Sequence, residues 1–262
     1  MLTFSAIVPH PVISIPEIGK ENINRIPQTI RASKIIRQEL YASKPDFLII
    51  ITPHAVHVDD AFSINQAKEL SINLKEFGDL SKRPVITNNI GLGYKIRESV
   101  EDSMPLILSE NENLDYGSAI PLINSLNGLK DIKVVIIGTA PKLSLGTHFE
   151  LGVKIMKQLD NNPERIAVLA SADLSHDQER EITTTKKPNI EFDRSLISLI
   201  EKQKINEFLA ISEADVLRAA ACGVRPIAVL LGLLKNKKYS SKVLSYEHSI
   251  GIGYPTILIQ TN

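Results

Sequence analysis

The chain is nearly without cysteine. Cys222 is the only one in 262 residues, so no intrachain disulfide can form and a reducing, cytoplasmic setting is expected. An excess of charge of either sign is also missing: lysine and arginine total 30, as do aspartate and glutamate. That balance removes the whole-chain electrostatic footprint of a nucleic-acid binder. Long hydrophobic runs are absent too. AVLLGLL (228–234) is far shorter than the ~20 residues a spanning helix needs, and it reads as core or as a surface for self-association into a homo-oligomer. The opening MLTFSAIVPHPVISIPEIGK has no basic n-region and is interrupted by Pro9, Pro11 and Pro16. Neither a signal peptide nor a membrane segment is expected there.

What remains is material for a core, with 43% apolar residues, arranged as short β-branched runs alternating with helical patterns. FSAIVPH opens the chain as a strand. FLIIIT (47–52) is continuously apolar, as strands covered on both faces tend to be, and KVVIIGTA (133–140) and IAVLASADLSH (166–176) repeat the type. Between them, Ile30, Ile35, Ile36 and Leu40 fall at helical spacing, and HFELGVKIMKQLD is amphipathic. FDRSLISLIEKQK and EADVLRAAACGVRPIAVLLGLLKN read as helices, the second broken near Gly223 or Pro226. KVLSYEHSIGIGYPTILIQ reads as a strand, a glycine turn and a strand. EREITTTKKPN (179–189) is polar, without an apolar period, and reads as a flexible loop. No linker, repeat or low-complexity tract divides the chain. The expected fold is one α/β domain over residues 1–262, with a mostly parallel or mixed central sheet sandwiched between helices.

The chemistry-bearing residues cluster at strand ends. The first strand leads to His10 and the second to His54 and His57; IAVLAS runs into Asp173 and His176; a late strand carries Glu247 and His248. Ligands of open α/β sheets bind beyond the carboxyl ends of the strands, so parallel strands would aim these side chains into one crevice. Singly, each residue has an ordinary reading. A histidine after a strand is commonly a hydrogen-bonded loop residue, and His148 at the polar start of a helix belongs to that class. His57 reads as solvated. SADLSH could be a capped turn, and Glu247 and His248 point to opposite faces of a regular strand. Convergence lifts His10, His54 and His176 above that background. Two imidazoles and a carboxylate suit non-haem Fe(II) or hydrolytic Zn(II), and a further histidine could serve as acid or base near neutrality.

The ordered set AIVPHP, IPEIGK, ITPHA, DYGSAIPL, SADLSH, ACGVRPIAVLLG and YEHSIGIGY, spanning residues 6–254, resembles the catalytic-subunit-B family of class III extradiol ring-cleavage dioxygenases (LigB-like). Its nearest branch looks like the stand-alone proteins related to Memo. The resemblance implies a single α/β domain and a non-haem Fe(II) held by His10, His54 and Glu247. It implies a small catecholic substrate opened with O₂, with His176 as acid/base and Asp173 orienting it. It also marks a departure. Where active relatives carry a histidine on the oxygen side, this chain has Tyr116 within Asp115–Tyr116–Gly117, and a phenol of pKa about 10 shuttles protons poorly near neutrality. Cys222 falls where the Memo branch has a pocket cysteine, although by residue type alone it reads as a small buried hydrophobe. Three readings follow: a ring-cleaving dioxygenase, a Memo-like metal protein with a redox or partner-binding role and copper in place of iron, or a zinc hydrolase.

Overall fold

A computed structural model describes residues 1–56, 58–126, 132–160, 162–177 and 189–261. His57 and residues 179–188 of the expected polar loop lie outside the described residues. The strands are β1 (Leu2–Val8), β2 (Phe47–Thr52), β3 (Phe62–Asn65), β4 (Glu69–Leu70), β5 (Ile86–Thr87), β6 (Leu106–Ser109), β7 (Lys133–Gly138), β8 (Ile166–Ser171), β9 (Tyr239–Ser249) and β10 (Ile252–Thr261). The α-helices are α1 (Pro16–Gly19), α2 (Pro27–Ser43), α3 (Ile90–Val100), α4 (Tyr116–Ser125), α5 (Leu145–Leu159), α6 (Ile190–Glu201), α7 (Ile205–Leu209), α8 (Glu213–Ala219) and α9 (Val224–Leu233).

Eight strands form one mixed sheet in the order β6-β3-β7-β2-β8-β1-β10-β9. Its centre, β7-β2-β8-β1, is parallel, and antiparallel pairs join it to β3 on one side and to β10 and β9 on the other. The continuously apolar runs occupy that parallel block because it is covered twice. Leu48 and Ile50 of β2 point into one apolar layer with Ile36 and Leu40 of α2 and Ile120 of α4. Ile49 and Ile51 point into the other, with Leu151 and Ile155 of α5 and Ile227 and Leu230 of α9. Burying a side chain of this size is worth about 1.5–3 kcal/mol, so a one-residue slip of β2 keeps burial but breaks both sets of packing at once.

The AVLLGLL segment is core, not surface: every residue of α9 is buried. Its backbone meets α5 at two glycines. A Cβ on Gly152 would strike the Val229 carbonyl oxygen, and one on Gly232 would strike that of Phe149. The break expected near Gly223 lies between α8 and α9, where Ala220 adopts φ 49 and Pro226 sits harmlessly in the first turn of α9. The closing hairpin turns through Ile250 (φ 48) and Gly251 (φ 76). Among the described residues, no helix is long and apolar enough to cross a membrane.

The parallel block matters for function because β1, β2 and β8 all end at one rim. Val8 pairs with Ser171, and Ile51 with Ala170. Residues just past those ends share a small volume. The end of β9 reaches the same rim, since β9 and β1 both run antiparallel to β10.

Candidate metal centre

His10 follows β1 and is almost completely buried, which an imidazole tolerates only with its nitrogens engaged. Its Nδ1 lies 2.8 Å from Ser171 Oγ, and that hydroxyl donates its one proton to the Gly117 carbonyl at 2.5 Å. Ser171 can therefore only accept from His10. Nδ1 carries the proton, and the Nε2 lone pair is directed into the rim. The backbone N–H of His10 donates to Asp173 Oδ1 at 2.9 Å, fixing the residue from a second side.

His54 is set by the opposite wall. Its N–H donates to Thr52 Oγ1 (3.2 Å), whose hydroxyl donates to Asp115 Oδ1 (2.9 Å). Asp115 also accepts from Ser118 N–H at 2.9 Å and so caps α4. Gly117 is required here: a Cβ would stand 2.8 Å from His54 Cδ2. The Tyr116 ring stacks on that of His54, with centroids 4.4 Å apart and planes at 28°, and its hydroxyl is 2.9 Å from His54 Nε2.

These two walls bring His54 Nε2 to 3.2 Å from His10 Nε2, with Cys222 Sγ 3.7 Å from His10 Nε2. The ligand atoms of His10, His54 and Cys222 all lie within 4.8 Å of one another. A tetrahedral ion with bonds of about 2.0 Å to nitrogen and 2.3 Å to sulfur would separate two nitrogens by roughly 3.3 Å and nitrogen from sulfur by roughly 3.5 Å. The residues fit a metal.

Their protonation is compatible with that role. Burial, then the neighbouring His54 and His176 charges, hold His10 well below the usual imidazole range, so it is neutral at pH 7. Burial, then the charge of Asp173, push the Cys222 thiol up, so without a cation it keeps its proton. Burial likewise raises Asp173 to about 7, partly opposed by the His10 amide, and puts Tyr116 above the ordinary phenol range. Several buried groups that resist their charged forms surround one small volume, where a divalent ion would supply the missing compensation.

The other expected residues are placed as follows. Asp173 is buried beside His10, with Oδ2 3.4 Å from His10 Nε2. His176 is partly buried, and its charge is felt at His10. Its Nδ1 donates to Leu174 O at 2.9 Å, and burial, partly opposed by hydrogen bonds to the Leu174 and Ala220 backbone, holds its pKa below the ordinary value. Glu247 is placed elsewhere. Its carboxylate accepts from Gln28 N–H (3.1 Å), Thr29 N–H (2.7 Å) and the Thr29 hydroxyl (2.7 Å), at the start of α2 where the helix dipole favours an anion. Among the described residues it is not in the converging group. His248 turns to the other face, with Nε2 3.7 Å from Asp177 Oδ2. His148 is a structural histidine, fully buried, bonding Ser144 O and the Ala140 N–H.

Sequence reasoning missed Ser171 and Asp193. Asp193 lies on α6 and accepts from Ser175 N–H (3.0 Å), Ser175 Oγ (2.8 Å) and Tyr246 (2.7 Å), so it anchors the loop that carries His176. A lone acid in an amphipathic helix gives no signal of this. Beside the centre a cavity of about 460 Å³ opens, bordered by His54, Asp115, Ser63, Asn65, Asn113 and Lys75.

A model of the family described as the catalytic LigB subunit of aromatic ring-opening dioxygenase matches residues 5–256. The chain is 28% identical over 265 residues to Protein CA_C1420 of Clostridium acetobutylicum, covering 97% of this chain and 56% of that protein. It therefore spans little more than half the length of that relative. It is 26% identical over 226 residues to the MEMO1 family protein PAE0818 of Pyrobaculum aerophilum, covering 82% of this chain and 73% of that one. The crystal structure of the uncharacterized protein JW3007 from Escherichia coli K12 shares the fold, with a TM-score of 0.67 at 13% identity over 98% and 99% of the two chains.

Proposed function

The chain belongs to the LigB family of aromatic ring-opening dioxygenase catalytic subunits, and from that starting point we propose that it is a Memo-like transition-metal protein, holding one ion with Nε2 of His10, Nε2 of His54 and Sγ of Cys222. The observation that carries this reading is the agreement of the 3.2 and 3.7 Å ligand-atom spacings with a single shared ion. One thiol and two imidazoles suit copper, iron or zinc, and copper or iron would supply one-electron redox chemistry. The chain's own part is to present that ion. Ser171 fixes the tautomer of His10, Asp115 holds His54 through Thr52, and the buried Asp173 carboxyl stands close enough to take up or release a proton beside His10. Elemental analysis of protein purified without added metal tests the reading. Copper or iron near one ion per chain is expected. A zinc-loaded protein that hydrolyses esters or amides would favour the hydrolase instead.

A second reading keeps the family's chemistry: an Fe(II)-dependent extradiol cleavage of a small catechol with O₂. The cavity bordering His54 favours it, and His176, whose charge is felt at His10, would be its acid/base. Against it stand Tyr116 in place of a proton-shuttling histidine and the engagement of Glu247 at α2. Oxygen uptake by the anaerobically iron-loaded protein across a panel of catechols separates the two.

A further inference from the structure

The cavity of about 460 Å³ that borders His54 and Asp115 is walled by amide and hydroxyl side chains, and what they have left to offer is mostly donors. Asn65 Oδ1 accepts the backbone N–H groups of Ala67 (2.9 Å) and Asn111 (3.3 Å). Asn111 Oδ1 accepts that of Asn113 (3.0 Å), and Asn73 Oδ1 that of Lys75 (3.2 Å). A backbone N–H can meet only the oxygen end of an amide, so these bonds fix which way each side chain is turned. The carbonyl ends are spent on the loops. Asn65 Nδ2 gives a proton to Asn111 O, while the NH₂ groups of Asn73 and Asn111 have no partner among the described residues. Ser63 of β3 is only 3% exposed, and its hydroxyl also lacks a partner among the described residues. Gly138 keeps the room for it, since a Cβ there would stand 2.3 Å from Ser63 Oγ. Lys75 is exposed at the cavity's edge and forms no ion pair among the described residues. Asp115 adds little acceptor capacity, because it already accepts from Thr52 and from the N–H and hydroxyl of Ser118.

We propose that this cavity receives a carboxylate: the small ligand served by the metal centre carries an anionic group, held by the spare amide N–H groups of Asn73 and Asn111, the Ser63 hydroxyl and the Lys75 ammonium. A carboxylate has about four lone-pair sites and no donor, so it matches a wall of donors. A neutral ligand rich in hydroxyls would find few acceptors for its own protons. The inference rests on the metal-centre reading above and adds the chemical class of ligand. Charge-assisted hydrogen bonds are the stronger kind, but Lys75 is exposed and Glu76 follows it on the same turn, so the carboxylate is worth about 10-fold in affinity.

The test uses the full chain loaded with redox-inactive zinc(II), with the bound zinc counted first. Two pairs of metal-chelating hydroxamates are then titrated by calorimetry: succinic monohydroxamate beside butyrohydroxamate, and glutaric monohydroxamate beside pentanohydroxamate. Within each pair the only difference is a carboxylate in place of a methyl group, and the two lengths allow for the distance from ion to cavity wall. In at least one pair the carboxylated member is expected to bind about 10-fold tighter, by a margin that shrinks with added salt. Lys75→Met should bring the two members close together, and Glu76→Gln should drive them further apart. Bound zinc with no carboxylate preference at either length, or a preference that Lys75→Met leaves intact, would overturn the carboxylate proposal alone. Failure of the chain to bind zinc, copper or iron would overturn the ligand assignment and this proposal with it.

Discussion

The imidazoles of His10 and His54 meet Nε2 to Nε2 at 3.2 Å, although the strands that deliver them, β1 and β2, do not touch. β8 runs between them and is parallel to both. Its own end supplies Ser171, which bonds His10, and Asp173, which bonds the His10 backbone. The middle strand is therefore the template that brings the outer two ligands together.

His10→Ala and His54→Ala are each expected to abolish stoichiometric metal binding while leaving the circular dichroism spectrum native. His10→Ala should also lower stability by about 1–3 kcal/mol, because it leaves the buried Ser171 hydroxyl without its donor. Metal analysis and thermal melts check both. Full metal content in the two variants would make the assignment untenable.

Cys222 and Glu247 compete for the role of third ligand, and their variants should part company. Cys222→Ser should weaken metal binding sharply with little change in melting temperature. Glu247→Ala should retain the metal and cost about 1–2 kcal/mol, because the first turn of α2 loses the acceptor for Gln28 and Thr29. If Glu247→Ala loses the metal while Cys222→Ser keeps it, the ligand set is the one the family resemblance implies.

Ser171→Ala tests the tautomer. The substitution frees Nδ1 of His10 and lets the ring rotate or exchange its proton, so metal affinity should fall about 10- to 100-fold. Unchanged affinity would mean that His10 is oriented by its packing alone.

His148 gives the protein an acid-sensitive fold independent of the centre. Burial depresses its pKa to about 4, below the 6.5 of a free imidazole, so the unfolded chain binds the proton more readily. This contribution is complete above pH 6.5 and is lost as the pH falls from 6.5 toward 4, by about 3 kcal/mol in all. Urea unfolding of wild type and His148→Gln across that range should show a flatter pH dependence in the variant. Parallel curves would contradict it.

The local pattern of the chain carries much of the fold. FLIIIT and IAVLAS are legible as doubly covered strands because burial on both faces demands an unbroken apolar run, and both are buried throughout. The short strands β3 and β6 and the helices α3 and α4 are not legible in the same way. Four residues such as Phe62–Asn65 hold too few periods to separate strand from loop, and α4 carries Pro121 in its interior. The helix-opening Asp115 is legible in DYG only by resemblance.

The sequence by itself determined that histidines stand just past the ends of buried parallel strands, because strand length and side-chain type are local properties written in consecutive residues. Only the tertiary structure decided which of them meet. Strand order put β8 between β1 and β2, and the break before α9 brought Cys222 against His10, while the start of α2 took up the carboxylate of Glu247. Those outcomes depend on contacts between residues up to 219 positions apart, and no short window of sequence encodes a distance of that kind.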